Sequence, residues 1–268
     1  MIFLKQKISK IVKGIIFKKI KTIYNIGKKK RVIGNYRNSP KYLNVGGGEF
    51  VRDHWRVLDY IVPSWYDYNS VFVDFNVDLE ENRNWPIDKE SYSLVYTSHT
   101  LEHLSQNAVR HTLAEIYRIL KRQGGLRITV PDIDLALYHY KRKDRKWFNM
   151  RYPALKENKL EDCLFKVFAT HLVGKISPEK AKKDFEGMSE ASFLNKYIGL
   201  VQDSWQKDKP GFHRNWFNFE KIEKLLKETG FSQITRNCCG QSIFTEFCHR
   251  DFDNSHPVIS IFVDAVKL

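Results

Sequence analysis

Cysteine is scarce in this chain, with four in 268 residues and none of them in a C-x-x-C pair. Cys238 and Cys239 are adjacent, which suits neither a zinc site nor an ordinary disulfide framework. With Cys163 and Cys248 they read as reduced, partly buried thiols of a cytosolic protein. Long apolar runs are missing as well. No uncharged stretch approaches the ~20 apolar residues that a spanning helix requires. Lysines interrupt the apolar residues near the start and no small-residue cleavage site follows, so the start is a poor signal peptide. No internal repeat or low-complexity tract appears beyond this basic start. Acid is absent from the first forty residues, which hold ten Lys and two Arg, twelve of the formal +14. The remaining 228 residues carry only +2, so the body of the protein lacks the basic face of a phosphate-tracking surface, and nucleic acid is not expected as a partner. The length accommodates one α/β domain with an insertion rather than two full domains.

The basic start has a pattern of its own. Ile8, Ile11, Val12, Ile15, Ile16, Ile20 and Ile23 recur at helical spacing, with Lys7, Lys10, Lys13, Lys18 and Lys21 between them. Residues 1–37 therefore read as a basic amphipathic segment. Such a helix either lies on an anionic membrane surface, here through residues 1–30, or packs on the domain with its lysines in water. The first alternative predicts a cytoplasmic protein held at the inner face of the membrane.

Residues 38–268 read as the folded domain, organised around Lys41-Tyr-Leu-Asn-Val-Gly-Gly-Gly-Glu-Phe50. A strand near 42–45 stops at Val45 and runs into Gly46, Gly47 and Gly48. Bare backbone there can turn sharply and lie against a ligand at the carboxyl end of the strand. A glycine triplet alone is equally a flexible turn. Trp55-Arg-Val-Leu-Asp59 then reads as a second strand ending in an acid. That acid follows the glycines too soon for the dinucleotide fingerprint, which places it about 20 residues on.

Further strands are expected near 71–75, at Tyr92-Ser-Leu-Val-Tyr96 and at 126–130. A helix near 106–121 carries Val109, Leu113, Ile116 and Leu120 on one face, with Gly124 as its stop. A later helix near 219–229, capped by Asn218 and stopped by Gly230, feeds a strand near 231–236, and 258–266 reads as the last strand. This alternation predicts an α/β fold with a mostly parallel sheet and helices on both faces. Between 134 and 210 the rhythm is lost, and a helical cap is expected there, bearing Tyr138, Tyr140, Trp147, His171 and Trp205.

Leu43-Asn-Val-Gly-Gly-Gly48 with Trp55 and Asp59, Val77-Asp-Leu79, Trp85-Pro86 and Thr97-Ser-His-Thr-Leu-Glu-His-Leu104 resemble the class I S-adenosylmethionine-dependent methyltransferases. The segment Arg118-Ile-Leu-Lys-Arg-Gln-Gly-Gly-Leu-Arg-Ile-Thr-Val-Pro-Asp132 fits the same pattern. The nearest likeness is to the methyltransferase type 11-like group found among surface-polysaccharide biosynthesis enzymes. It is close over residues 40–135 and looser over 211–268. Gly47 stands where Cys or a small polar residue is usual, Gln123 replaces a Pro, and His54 replaces a Gly. The resemblance implies a Rossmann-like seven-stranded sheet whose last strand is antiparallel, an insertion at 134–210 that covers the substrate, and S-adenosylmethionine as cofactor. It assigns Asn44, Gly46, Gly47 and Gly48 to the cofactor's amino-acid end, Asp59 to the ribose, Asp78 with Leu79 to the adenine, and Ser98 to the same site. Asp59 and Asp78 would otherwise read as turn caps.

The resemblance places His99, Glu102 and His103 facing the methyl donor. The order H-x-x-E-H also matches a zinc-protease motif, but that motif belongs inside a helix of another fold. Some class I methyltransferases carry E-x-x-E-H here and bind a divalent ion with a later His. His99 breaks that pattern, so no metal is expected, although His213 stands where the later partner would be. If the acceptor is a hydroxyl, a base must take its proton, and His213 or His103 is the expected base with His99 beside them. Alternatively, His103 pairs with Glu102 or a backbone carbonyl, and His213 caps the last helix. The expected reaction is O-methylation of a sugar or sugar-linked group of a bacterial capsule or lipopolysaccharide. Two alternatives are methylation of a phosphate-type substituent such as a phosphoramidate, which would call on Arg214, and an RNA methyltransferase anchored by the basic start.

Overall fold

In the computed structural model the chain is described over residues 41–48, 50, 52–61 and 73–268. The amphipathic segment 1–37 lies outside the described residues. The chain divides into two units, Met1–Asp78 and Leu79–Leu268.

The first unit holds three parallel strands, β1 (Tyr42–Val45), β2 (Trp55–Asp59) and β3 (Phe75–Asn76), in the order β3-β2-β1. Leu43, Val45, Trp55, Val57 and Leu58 are buried, each worth about 1.5–3 kcal/mol against exposure for an aliphatic side chain. The Trp55 ring packs against Tyr42 and Phe50 at centroid distances of 5.1 and 5.6 Å. Of the strand expected near 71–75, residues 71 and 72 lie outside the described residues; Phe75 and Asn76 pair opposite Leu58 and Asp59, and Asp74 N and Val77 N donate to Val57 O and Asp59 O on either side.

The second unit holds β4 (Tyr92–Ser98), β5 (Leu120–Pro131), β6 (Ser232–Asn237) and β7 (Ser260–Val266) in the order β4-β5-β7-β6. β4 and β5 run parallel, and β7 is antiparallel to both of its neighbours. The two units thus supply the seven strands of a mostly parallel, Rossmann-like α/β fold. Helix α1 (Gln106–Ile119) starts where Ser105 Oγ accepts from Ala108 N, and it buries Val109, Leu113 and Ile116. It does not run on to Gly124. The chain turns extended at Leu120, because main-chain bonds from Gln123 N to Lys267 O and from Lys267 N to Gly124 O claim this stretch for the sheet. Helix α8 (Phe219–Thr229) does have the expected ends, with Asn218 Oδ1 accepting from Lys221 N and Gly230 in the left-handed conformation at φ 107°. β7 begins at Ser260 rather than 258, and Val258 is 63% exposed.

Between β5 and α8 lie α2 (Ile133–Lys141), α3 (Arg145–Arg151), α4 (Leu160–Phe168), α5 (Pro178–Gly187), α6 (Glu190–Ile198) and α7 (Asp203–Asp208). Their core is aromatic: Phe148, Phe165, Phe168, Phe193 and Tyr197 are all at most 1% exposed. Tyr140 joins that core, whereas Tyr138 is 53% exposed. Trp147 stacks on His139 at 4.5 Å.

The loop between β6 and β7 is fastened from below by one buried cation. Arg127, on β5, is fully buried and pairs with Asp253 at 2.5 Å and Asp264 at 2.9 Å. It also donates to the main-chain carbonyls of Gln241 and Cys238. Asp253 in turn accepts from Thr129 and Tyr96. Of the cysteines only Cys163 is buried; Cys238, Cys239 and Cys248 are exposed, so the partly buried setting expected for all four holds for one. Among the described residues no helix is long and apolar enough to cross a membrane.

Candidate active site

In the first unit the glycine turn is built against β2. Gly46 and Gly48 have φ of 69° and 51°, torsions that glycine adopts without steric cost. Gly47 is fixed by space instead: a Cβ there would lie 2.7 Å from Val57 Cγ1 and 3.2 Å from Asn44 Cγ. Gly48 N and Tyr60 N each donate to Asp59, at 2.7 Å, so the acid at the end of β2 is held against the glycines by main chain. Asn44 is buried, and its Oδ1 has no hydrogen-bond partner among the described residues. A bare cradle, an acid held at its edge and a buried amide oxygen fit a cofactor with an amino-acid end and a ribose. Asp78 is half-buried; Leu79, which opens the second unit, is buried.

In the second unit β4 ends at Ser98, and the chain turns through His99 at φ 52°, a left-handed conformation that costs a non-glycine residue. His99 N donates to Thr129 O. Its Nδ1 lies 3.0 Å from Glu102 Oε1 and its Nε2 lies 2.9 Å from Ser260 Oγ. The Ser260 hydroxyl spends its proton on His256 O, so His99 Nε2 must donate to it. Glu102 is 1% exposed. Burial pushes its carboxyl up, but the His99 hydrogen bond and the charges of His103, His99 and His213 outweigh this and bring it down to about 2. Both ring nitrogens of His99 are thus engaged, one by the Glu102 carboxylate and one by the Ser260 hydroxyl.

His103 and His213 are brought together by a different set of bonds. Arg214 N and Asn215 N both donate to Glu102 O, docking the 213–215 stretch on the turn after β4. Buried Gln206 donates to the carbonyls of His103, Pro210 and Phe212. The two rings meet edge to face at 4.9 Å. His213 Nδ1 lies 2.7 Å from Val167 O, and His103 Nδ1 lies 3.3 Å from Phe212 O. Each Nδ1 therefore carries the proton, which leaves Nε2 with its lone pair. Dense packing, and then the neighbouring His103, push His213 down to about 4, so it is neutral near pH 7. His213 does not cap a helix; Asn218 does that. Glu102, His103 and His213 each offer one donor atom, all within 4.8 Å of one another, and Glu102 Oε2 is buried without a partner among the described residues. The same trio that can move a proton is thus also a donor set for a divalent cation.

Two residues were not singled out from the sequence. His256 packs edge to face on His99 at 4.7 Å and is pushed down to about 4 by burial and by His99. Its only sequence signal is a His-Pro step shortly before the last strand. Arg151, at the end of α3, is the other. Arg214, by contrast, is already paired with Asp203 at 2.5 Å and faces Glu80 at 3.9 Å, so it is not the spare cation that a phosphate acceptor would need.

Residues 67–128 match the family described as Methyltransferase domain. With the glycine cradle and the acid after β2, this supports an S-adenosylmethionine-dependent methyltransferase, with S-adenosylmethionine as its cofactor. No curated protein matches the chain. Among solved structures, a SAM-dependent methyltransferase from Archaeoglobus fulgidus shares 13% identity at a TM-score of 0.42, covering 92% of this chain and 94% of that one. One from Thermotoga maritima shares 13% at 0.40, covering 97% of each. The CurJ carbon methyltransferase shares 11% at 0.38, over 85% of this chain, which spans about half (48%) of the CurJ length. Likenesses this distant say nothing about the acceptor.

Proposed function

We propose that the chain transfers the methyl group of S-adenosylmethionine to a hydroxyl of a sugar or sugar-linked group during assembly of a bacterial surface polysaccharide, capsule or lipopolysaccharide. The observation that carries the chemistry is the His103–His213 pair, each ring held by a main-chain carbonyl at Nδ1 and open at Nε2. When bound, the cofactor supplies a methyl group already activated on a sulfonium. The protein's part is to orient the acceptor and take its proton. The resemblance assigns Asn44 and Gly46–Gly48 to the amino-acid end, Asp59 to the ribose, Asp78 and Leu79 to the adenine, and Ser98 to the cofactor as well. The proton passes to Nε2 of the histidine pair, where the buried Glu102 carboxylate stabilises the resulting charge. The polysaccharide setting is supported by the likeness of the motifs to that branch, and by a basic amphipathic segment suited to an anionic membrane face.

Labelled S-adenosylmethionine offered with nucleotide sugars, capsule fragments and RNA tests the reading. Label on a sugar hydroxyl upholds it. Label on RNA alone, with binding that weakens in salt and vanishes without residues 1–37, replaces it with RNA modification. Equal co-sedimentation with anionic vesicles by the full chain and by a form lacking residues 1–30 would remove the membrane setting.

A further inference from the structure

A cavity of about 730 Å³ lies among the helices of the second unit, lined in part by Arg151, Tyr152, Lys166, Lys175, Trp205 and Phe212. Its charges are unbalanced. Lys175 and Lys209 add to the two deeper cations, and the one acid on the wall, Asp208, is exposed. Arg151 and Lys166 are both half-buried, and neither side chain makes a hydrogen bond or ion pair with another described residue. Arg151 Nε is buried without a hydrogen-bond partner among the described residues. Their close contacts are aromatic faces: Arg151 over Tyr152 at 5.2 Å, Lys166 over Phe212 at 5.2 Å, and Lys175 over Trp205 at 4.0 Å. Burial, and then the charge of Arg151, push the Lys166 ammonium below its ordinary range. Two like charges sharing a desolvated wall with no carboxylate between them are unfavourable unless an anion joins them.

The cavity also shares its wall with the histidine pair. Thr170, on the wall, donates its main-chain N–H to His213 O, and its Oγ1 accepts from His213 N. Phe212, on the same wall, supplies the carbonyl that His103 faces. A group anchored by Arg151 and Lys166 would therefore keep the rest of the same molecule close to the proposed base.

We infer that this cavity binds the acceptor through an anionic, phosphoryl-type group, gripped by Arg151 and Lys166, with the adjoining sugar ring lying on Tyr152, Trp205 or Phe212. This deepens the methyltransferase reading and rests on it. A guanidinium offers a planar fork to phosphate oxygens and an ammonium a point charge, while aromatic walls suit the apolar face of a sugar. The acceptor class is thus a phosphorylated glycan or sugar phosphate rather than a neutral sugar.

Calorimetry on the full chain tests this with glucose 1-phosphate, inorganic phosphate and glucose as probes. Glucose 1-phosphate should bind, more weakly as salt rises; inorganic phosphate should bind less tightly, and glucose should give no heat. Lys166→Gln and Arg151→Gln should each weaken glucose 1-phosphate by roughly tenfold or more, and Lys166→Arg should restore most of it. Binding of S-adenosylhomocysteine should be unchanged in all three. No heat with glucose 1-phosphate in the wild type, binding equal to that of glucose, or binding untouched by both neutral variants would overturn the inference. Failure of the methyltransferase reading would show separately, as no heat with S-adenosylhomocysteine in the wild type.

Discussion

Replacing Arg127 by Leu isolates the fastening beneath the β6–β7 loop. The change removes a fully buried guanidinium from two fully buried carboxylates, Asp253 and Asp264, at 2.5 and 2.9 Å. It also strips donors from the carbonyls of Gln241 and Cys238. Breaking a buried pair by deleting one partner costs about 3–5 kcal/mol. At about 2–4 °C per kcal/mol for a body of this size, Tm should fall by roughly 6–20 °C. Adding Asp253→Asn and Asp264→Asn to Arg127→Leu should recover most of the loss, because no charge is then left stranded. Circular dichroism melts and urea titrations of the single and triple variants read both effects. A fall in Tm of under about 3 °C in the single variant, or no recovery in the triple one, would refute the reasoning. Because the same loop carries His256 to His99, methyl transfer should drop as well.

Other expectations concern the cradle and the histidines. His213→Asn can keep a donor toward Val167 O while losing the basic nitrogen, so kcat should fall roughly 10²–10⁴-fold with S-adenosylhomocysteine affinity nearly unchanged; a wild-type rate would eliminate His213 as base. Gly47→Ala drives a methyl group into Val57 and Asn44, and calorimetry should show cofactor affinity reduced about tenfold or more with the fold retained. Chelation should leave turnover unchanged if the Glu102, His103 and His213 trio works by proton transfer alone, and loss restored by a divalent salt would make it a metal centre. His213 and His256 are held near 4, below the ordinary value of 6.5. The unfolded state therefore binds more protons between those values, and stability should decline as pH falls through 6.5 toward 4. Glu102, at about 2 against 4.5, extends the decline from 4.5 downward, and urea midpoints across this range check the sign.

The features legible in the sequence were the local ones. The glycine turn, the strands on either side of it and both ends of α8 are set by residues a few places apart, such as Asn218 and Gly230. The end of α1 was misplaced because Gly124 looks like a helix stop, yet its carbonyl is taken by Lys267, far along the chain. Arg127 reads as one more charged residue in an alternating strand. Its burial depends on Asp253 and Asp264, more than a hundred residues away, which no periodicity announces. In the same way the sequence proposed His99, His103 and His213 together. Only the serine, carboxylate and carbonyl partners separate the ring engaged at both nitrogens from the two held at Nδ1 alone.

The kink at His99 sets what evolution or an engineer can do at that codon. Left-handed torsions are cheapest for Gly and next for Asn, and costly for Val or Ile. A saturation library at position 99 should therefore rank survivors by backbone tolerance first. The Gly and Asn variants would keep the architecture while cutting the tether to Glu102, giving a protein in which shape and proton traffic come apart.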